Sequence, residues 1–190
     1  MTVEEIYKEL AEHMIKGLMS HDQLADYYDF LGLKGYRKCH EYHYLDESCN
    51  YRKLCRYYIS HHNKLIEIGE VENPNIIPQN WYRYTRQDVD MNTKKAAVKT
   101  GLDAWVNWER ETKKLYEQMY AELVALNEFA SASKLLCFIK DVDCELKRAE
   151  RYQLSKEAIN YDLGYIISEQ DEKYMSYKKK IEEFWEHDKY

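Results

Sequence analysis

Chain-breaking residues are scarce: six glycines and two prolines are spread over 190 residues. Turn-rich β architectures need far more breakers, so sandwiches and barrels are excluded. No window approaches the roughly 18 consecutive apolar residues that a membrane-spanning helix needs. The stretch Met1 to Leu10 carries Glu4, Glu5 and Glu9 and no apolar run, so no secretory signal is expected and the expected location is cytoplasmic. The five cysteines are odd in number and never spaced C-x-x-C. That argues against a disulfide framework or a zinc ribbon and for reduced thiols acting as small buried hydrophobes. A basic surplus is also missing, since the formal net charge is −6. Direct nucleic-acid binding is therefore not expected. Short basic clusters such as Arg52/Lys53/Arg56 and Lys178/Lys179/Lys180 have acids nearby and read as solvated helix faces. There is no phosphate-cradling glycine loop, no Gly-x-Ser-x-Gly and no His-Glu-x-x-His.

What is present is helical periodicity. Apolar and small residues recur every three to four positions from about Thr2 to Phe30, with Ile6, Leu10, Met14, Leu18, His21, Ala25 and Tyr28 on one face. Thr2 with Glu5 forms a capping-box pattern. Leu31 to Gly35 is a glycine-marked turn. A second helix is predicted over about Tyr36–Ile66, with Cys39/His40, His43, Glu47, Asn50, Leu54 and Tyr58 in its stripe. At 1.5 Å per residue it is about 45 Å long. Gly69, Pro74 and Pro78 then interrupt the pattern in a crossover over about 67–92, too long for a tight hairpin. Further helices are predicted over about Thr93–Asn127, Phe129–Gln153 and, opened by a Ser155 cap, Ser155–Trp185. A long crossover carries the chain down the bundle and makes the second and third helices parallel.

Tyrosine is over-represented, with 19 residues, several in pairs such as Tyr27/Tyr28 and Tyr57/Tyr58. Two readings stand: a docking surface, where tyrosine is enriched, or a lining for a wide bundle core.

Three stretches resemble the ferritin family: Gly35-Tyr36-Arg37-Lys38 through Glu47, Trp105 through Tyr116, and Phe129 through Glu145. The resemblance implies an all-α, ferritin-like antiparallel four-helix bundle over residues 1–153, with an extra C-terminal helical extension over 154–190. It also implies an inward ligand set: a Glu from the first and third helices, and Glu-x-x-His from the second and fourth. Mixed carboxylate and imidazole ligands suit iron or manganese. This sequence departs from the pattern. Glu47 fits the second-helix Glu, but Asn50 stands where His is expected. Met14 falls at the first-helix Glu place. The third helix offers Glu109, or Glu111 in a slipped register. The fourth offers Asp143, followed three on by Leu146, with Cys144 and Glu145 inward only if the helix is rotated. His21 and His43 approach each other across the antiparallel pair, and with Asp103 or His40 they suggest a mononuclear zinc-type site.

These departures set two expectations. The leading one is a non-enzymatic protein-interaction module with a protein partner and a decayed metal site. Its acidic, tyrosine-rich, lysine-studded style resembles small proteins of phages and conjugative elements of gut Firmicutes. That likeness implies a role blocking a host defence nuclease such as a CRISPR effector, with acidic side chains occupying a phosphate groove. In this reading no cofactor is bound. The alternative is a ferritin-like metal-binding protein, handling iron or catalysing di-metal oxidoreduction, with Glu47, Glu109 and Asp143 as ligands assisted by His21 or His43. A homo-oligomer is compatible with either.

Overall fold

The computed structural model describes residues 1–187. Six α-helices follow in order: α1 (Val3–Phe30), α2 (Lys34–His62), α3 (Met91–Ala125), α4 (Phe129–Ala158), α5 (Leu163–Ser168) and α6 (Gln170–His187). Two short 3-10 turns, Gln79–Arg83 and Arg86–Asp88, interrupt the crossover. There is no strand among the described residues, and no helix is long and apolar enough to cross a membrane.

Residue pairings give the directions. Tyr7 meets Tyr58 and Tyr28 meets Tyr36, so α1 and α2 are antiparallel. Arg110 pairs with Glu150 and Lys113 with Asp143, so α3 and α4 are antiparallel. Between pairs, His13 meets Thr112 while Tyr27 reaches Ala97, and His43 meets Glu145 while Tyr36 meets Tyr152. Hence α2 and α3 run parallel, the ferritin-like connectivity. The crossover achieves this by lying along α1: Lys64 bonds Glu4, Gly69 bonds Glu12, Trp81 packs on Tyr27 and Arg86 reaches Asp29.

Local chemistry sets the helix ends. The Thr2/Glu5 capping box is complete. The α1–α2 turn places Gly32 at φ +70°, where a side chain would be strained. The second helix stops at His62, short of Ile66, because Asn63 adopts a left-handed C-cap. The fourth and fifth helices also differ from expectation. Ser155 is no cap; its hydroxyl donates back to the Tyr152 carbonyl within α4. The expected division at 153/154 therefore falls inside α4. The break comes at Asn160 and Tyr161, both at positive φ, and Asp162 then caps α5.

The C-terminal helix α6 runs parallel to α2 and is tied into it. The start of α2 has no side-chain cap of its own. Instead, the buried Gln170 Oε1 accepts from the Gly35 and Tyr36 N–H groups at 2.9 and 3.2 Å, satisfying donors that a helix start otherwise orphans. Buried Lys156 donates to Glu169 at 2.7 Å and fixes the same corner.

The core is in two parts. One cluster, with Leu24, Tyr28, Leu33, Tyr36, Leu102 and Trp105, fills the end nearest the α1–α2 turn. The other, with Ile6, Leu10, Met14, Leu54, Met119 and Leu135, fills the opposite end. Eight tyrosines are buried in or around these clusters, so core lining is their main use, while Tyr44, Tyr82, Tyr84 and Tyr165 remain exposed.

Gly35 is where α2 touches α6 most closely: a Cβ there would lie 2.7 Å from the Gln170 carbonyl oxygen and 2.8 Å from Lys173 Cβ. Gly35→Ala should therefore cost about 1–3 kcal/mol in denaturant unfolding, the usual range for overpacking. An unchanged midpoint would show that α6 does not bear on α2 there.

Candidate metal centre

Between the two apolar clusters lies a polar layer. It receives His21 from α1, His40, His43 and Glu47 from α2, Glu109 from α3 and Glu145 from α4. The first five are buried, and the Glu145 side chain is 13% exposed. Helical spacing explains the α2 set, because positions 40, 43 and 47 share one face. Gly17 makes room on α1: a Cβ there would sit 3.3 Å from the Glu47 carboxyl carbon.

Ligand atoms of His21, Glu109 and Glu145 all lie within 4.8 Å of one another. His21 Nε2 is 3.6 Å from Glu109 Oε1. Its other nitrogen shares a 3.2 Å hydrogen bond with His40 Nδ1, which fixes the ring. The Trp105 indole N–H donates to Glu109 Oε1 at 3.0 Å. His43 Nδ1 bonds Glu145 Oε1 at 3.0 Å. Beyond His43, the Cys39 thiol lies against both His43 and the Tyr177 hydroxyl, and Tyr177 reaches Tyr152 at 3.4 Å. A file of polar side chains thus leads from the centre to the face covered by α6.

Several buried atoms in the layer have no hydrogen-bond partner: His21 Nε2, His43 Nε2, Glu47 Oε2 and Glu109 Oε2. Buried polar atoms are nearly always partnered, so four orphans in one layer call for an explanation. The acid–base state is equally strained. Burial raises the Glu47 carboxyl to about 8, helped by Glu145 and Asp46. Burial, Glu145 and Glu47 hold the Glu109 carboxyl well above the usual range. Burial, with His43 adding to it, lowers His21 to about 3, and His40 is also pushed well down. The exception is the His43–Glu145 pair. Burial opposes both charges, but their mutual attraction outweighs it, raising the imidazole and lowering the carboxyl to about 2. The donor set therefore fits a divalent cation, which would complete His21 Nε2 and Glu109 Oε2 and replace the proton on Glu109, whereas the protonated His43 ring has no lone pair to offer it.

Of the five residues picked from sequence, His21, His43, Glu47 and Glu109 come together in this layer. Asp143 does not. It points outward between Lys113 and Lys147, which hold its carboxyl down at about 2. The inward acid of α4 is Glu145, two positions on and on a different face. Asp103 also faces outward, to Lys99 and Gln153. Asn50 accepts from Lys53 at the surface, and Met14 belongs to the apolar cluster at the end opposite the α1–α2 turn. The α2 imidazole stands one turn before Glu47, not three residues after it. The signal that would have found it is the run His40-x-x-His43-x-x-x-Glu47, one face of a helix.

No protein-family model matches the chain, and no curated protein does. Solved structures do. An open-pore ferritin from the hyperthermophilic archaeon Archaeoglobus fulgidus superposes with a TM-score of 0.72 at 16% identity, covering 90% of this chain and 93% of that one. A humanized archaeal ferritin gives 0.74 at 15% identity, covering 90% and 94%. An engineered closed form of the A. fulgidus ferritin gives 0.73 at 16% identity, covering 92% and 96%. The fold is thus ferritin-like.

The raised Glu47 carboxyl has a measurable consequence. In the unfolded chain it ionises near 4.5, and in the folded, metal-free protein near 8. Folding stability is therefore lost as pH rises from the lower value through the higher. Glu47→Gln cannot ionise. After chelation it should be more stable than the parent at about pH 9 by at least about 1.4 kcal/mol, the equivalent of one pKa unit. The difference should close toward about pH 4. A difference independent of pH would contradict the assignment.

Proposed function

We propose that this ferritin-like bundle is a metal-binding protein whose buried His/Glu layer holds iron or manganese. The observation that carries this is the convergence of His21, Glu109 and Glu145 from three helices, with unpartnered, buried donor atoms beside them. Mixed imidazole and carboxylate donors suit these metals. His21, Glu109 and Glu145 would be the ligands, with Glu47 a fourth carboxylate in the same layer. When bound, iron or manganese supplies one-electron redox chemistry.

The surrounding residues have separable tasks. His40 orients His21, and Trp105 orients Glu109, as outer-shell hydrogen bonds commonly do for ligands. His43 keeps Glu145 ionised and ready to coordinate. The apolar clusters above and below exclude water, which strengthens every charge interaction inside. Glu109 holds a proton that leaves when a cation enters, so metal affinity rises with pH.

The competing reading, an interaction module that blocks a defence nuclease, drew on ligands missing from the Glu-x-x-His places, on the surplus of tyrosines and on the added C-terminal helix. The same donor types reach the layer from other positions, which weakens the first of these supports and favours the metal-binding reading.

Elemental analysis of protein purified without tags or chelators should find at least one equivalent of iron or manganese. Glu109→Gln should cut metal content or affinity at least about tenfold, and His40→Ala about 10–100-fold, the usual cost of losing outer-shell support. Asp143→Asn, altered on the outer face, should keep its metal. A metal-free parent, or an Asp143→Asn variant as empty as Glu109→Gln, would rule the proposal out.

A further inference from the structure

A second cavity lies away from the polar layer, where the crossover folds against α1. Its volume is about 360 Å³, within the range of small-molecule sites. Five of its lining residues are aromatic: Tyr27, Phe30, Trp81, Tyr82 and Tyr84. The Trp81 ring stands perpendicular to Tyr27, at 87° with centroids 5.3 Å apart, and is tilted 36° to Tyr84 at 5.0 Å. Tyr27 is fixed because its hydroxyl donates to the Ala97 carbonyl at 3.0 Å.

The non-aromatic polar lining offers two acceptors, the Gln23 amide oxygen and the Asp26 carboxylate. The Gln23 amide nitrogen donates to Asn73, and its Oε1 is buried and without a partner. Asp26 supplies a carboxylate at the rim. Among the described residues no cation forms an ion pair with Asp26 or with neighbouring Asp22, whereas Asp29 is satisfied by Arg37 and Arg86. Burial first, then Asp22 and Asp29, raise the Asp26 carboxyl, as expected for an acid lacking a counter-charge. Aromatic faces carry negative potential, and so do these oxygens; both attract a positive, weakly hydrated guest.

We propose that this cavity is a binding site for a small organic cation of the alkylammonium or quaternary ammonium type. The rings enclose the charged head and the Asp26 and Gln23 oxygens select for its charge. A purely apolar ligand would fill the same volume but leave the unpartnered Gln23 acceptor and the uncompensated Asp26 unused. The inference is independent of the metal centre, because none of these residues belongs to the polar layer.

The test uses choline as the probe and 3,3-dimethylbutan-1-ol, its uncharged isostere, as the control, titrated into the full-length protein at constant ionic strength. Calorimetry gives affinity, and the methyl proton shift gives contact with ring faces. Choline should bind saturably, at least about tenfold more tightly than the alcohol, with its methyl signal moved upfield. Asp26→Asn, at the exposed rim, and Tyr84→Leu should each weaken choline at least about fivefold while leaving the alcohol unchanged or nearly so. Trp81→Leu should abolish binding, with circular dichroism checking that the fold is kept. Equal affinity for choline and the alcohol would reduce the cavity to an apolar pocket and overturn the proposal. So would an absence of saturable binding, or full choline affinity in both Asp26→Asn and Tyr84→Leu.

Discussion

Everything in this bundle is arranged around the burial of three carboxyl groups and three imidazoles in one layer. Removing a carboxylate from water without a partner is among the most unfavourable steps in folding. The protein contains the problem in several ways. One acid is ionised against a protonated imidazole, in the Glu145–His43 pair. Two acids are kept protonated by burial, Glu47 and Glu109. Two imidazoles are neutral and bonded to each other, His21 and His40. The orphaned His21 Nε2 and Glu109 Oε2 then lack what the side chains do not provide, and the proposed divalent cation would meet that need.

The rest of the fold supports the layer. The two apolar clusters supply the burial that stabilises the bundle and also sets the layer's low polarity. Gly17 gives the Glu47 carboxyl its space. The crossover runs along α1, so α2 and α3 come out parallel and each of four helices can aim at least one acid or imidazole at the same level. The C-terminal helix caps the start of α2 through Gln170 and covers the Tyr177–Cys39–His43 file on the outer side.

The fold was legible because helix periodicity is a long-range average. Errors of a residue or two do not disturb it, and the scarcity of breakers, the 67–92 crossover and the parallel second and third helices all follow. The helix ends were less legible where tertiary contacts decide them. Ser155 reads as a cap but sits inside α4, because the chain turns only at Asn160 and Tyr161, whose left-handed backbone leaves a weak sequence signal. The site depends on single-residue register and was read in part. His21, His43, Glu47 and Glu109 were found from their positions on apolar stripes. Asp143 was preferred to Glu145 because a rotation of two residues moves a side chain to another helix face. The outward pull of Lys113 and Lys147 that settles the matter comes partly from another helix. Looking for Glu-x-x-His hid the His-x-x-His-x-x-x-Glu face that α2 uses.

The proposed metal would sit in this layer, between His21, Glu109 and Glu145. Anomalous diffraction from crystals grown with ferrous iron or manganese tests it most directly. A peak bounded by His21 Nε2 and the Glu109 and Glu145 carboxylates is the predicted result. A metal-bearing crystal whose only peaks lie on surface acids such as Asp143, with the layer's side chains still bonded to one another as described, would contradict it.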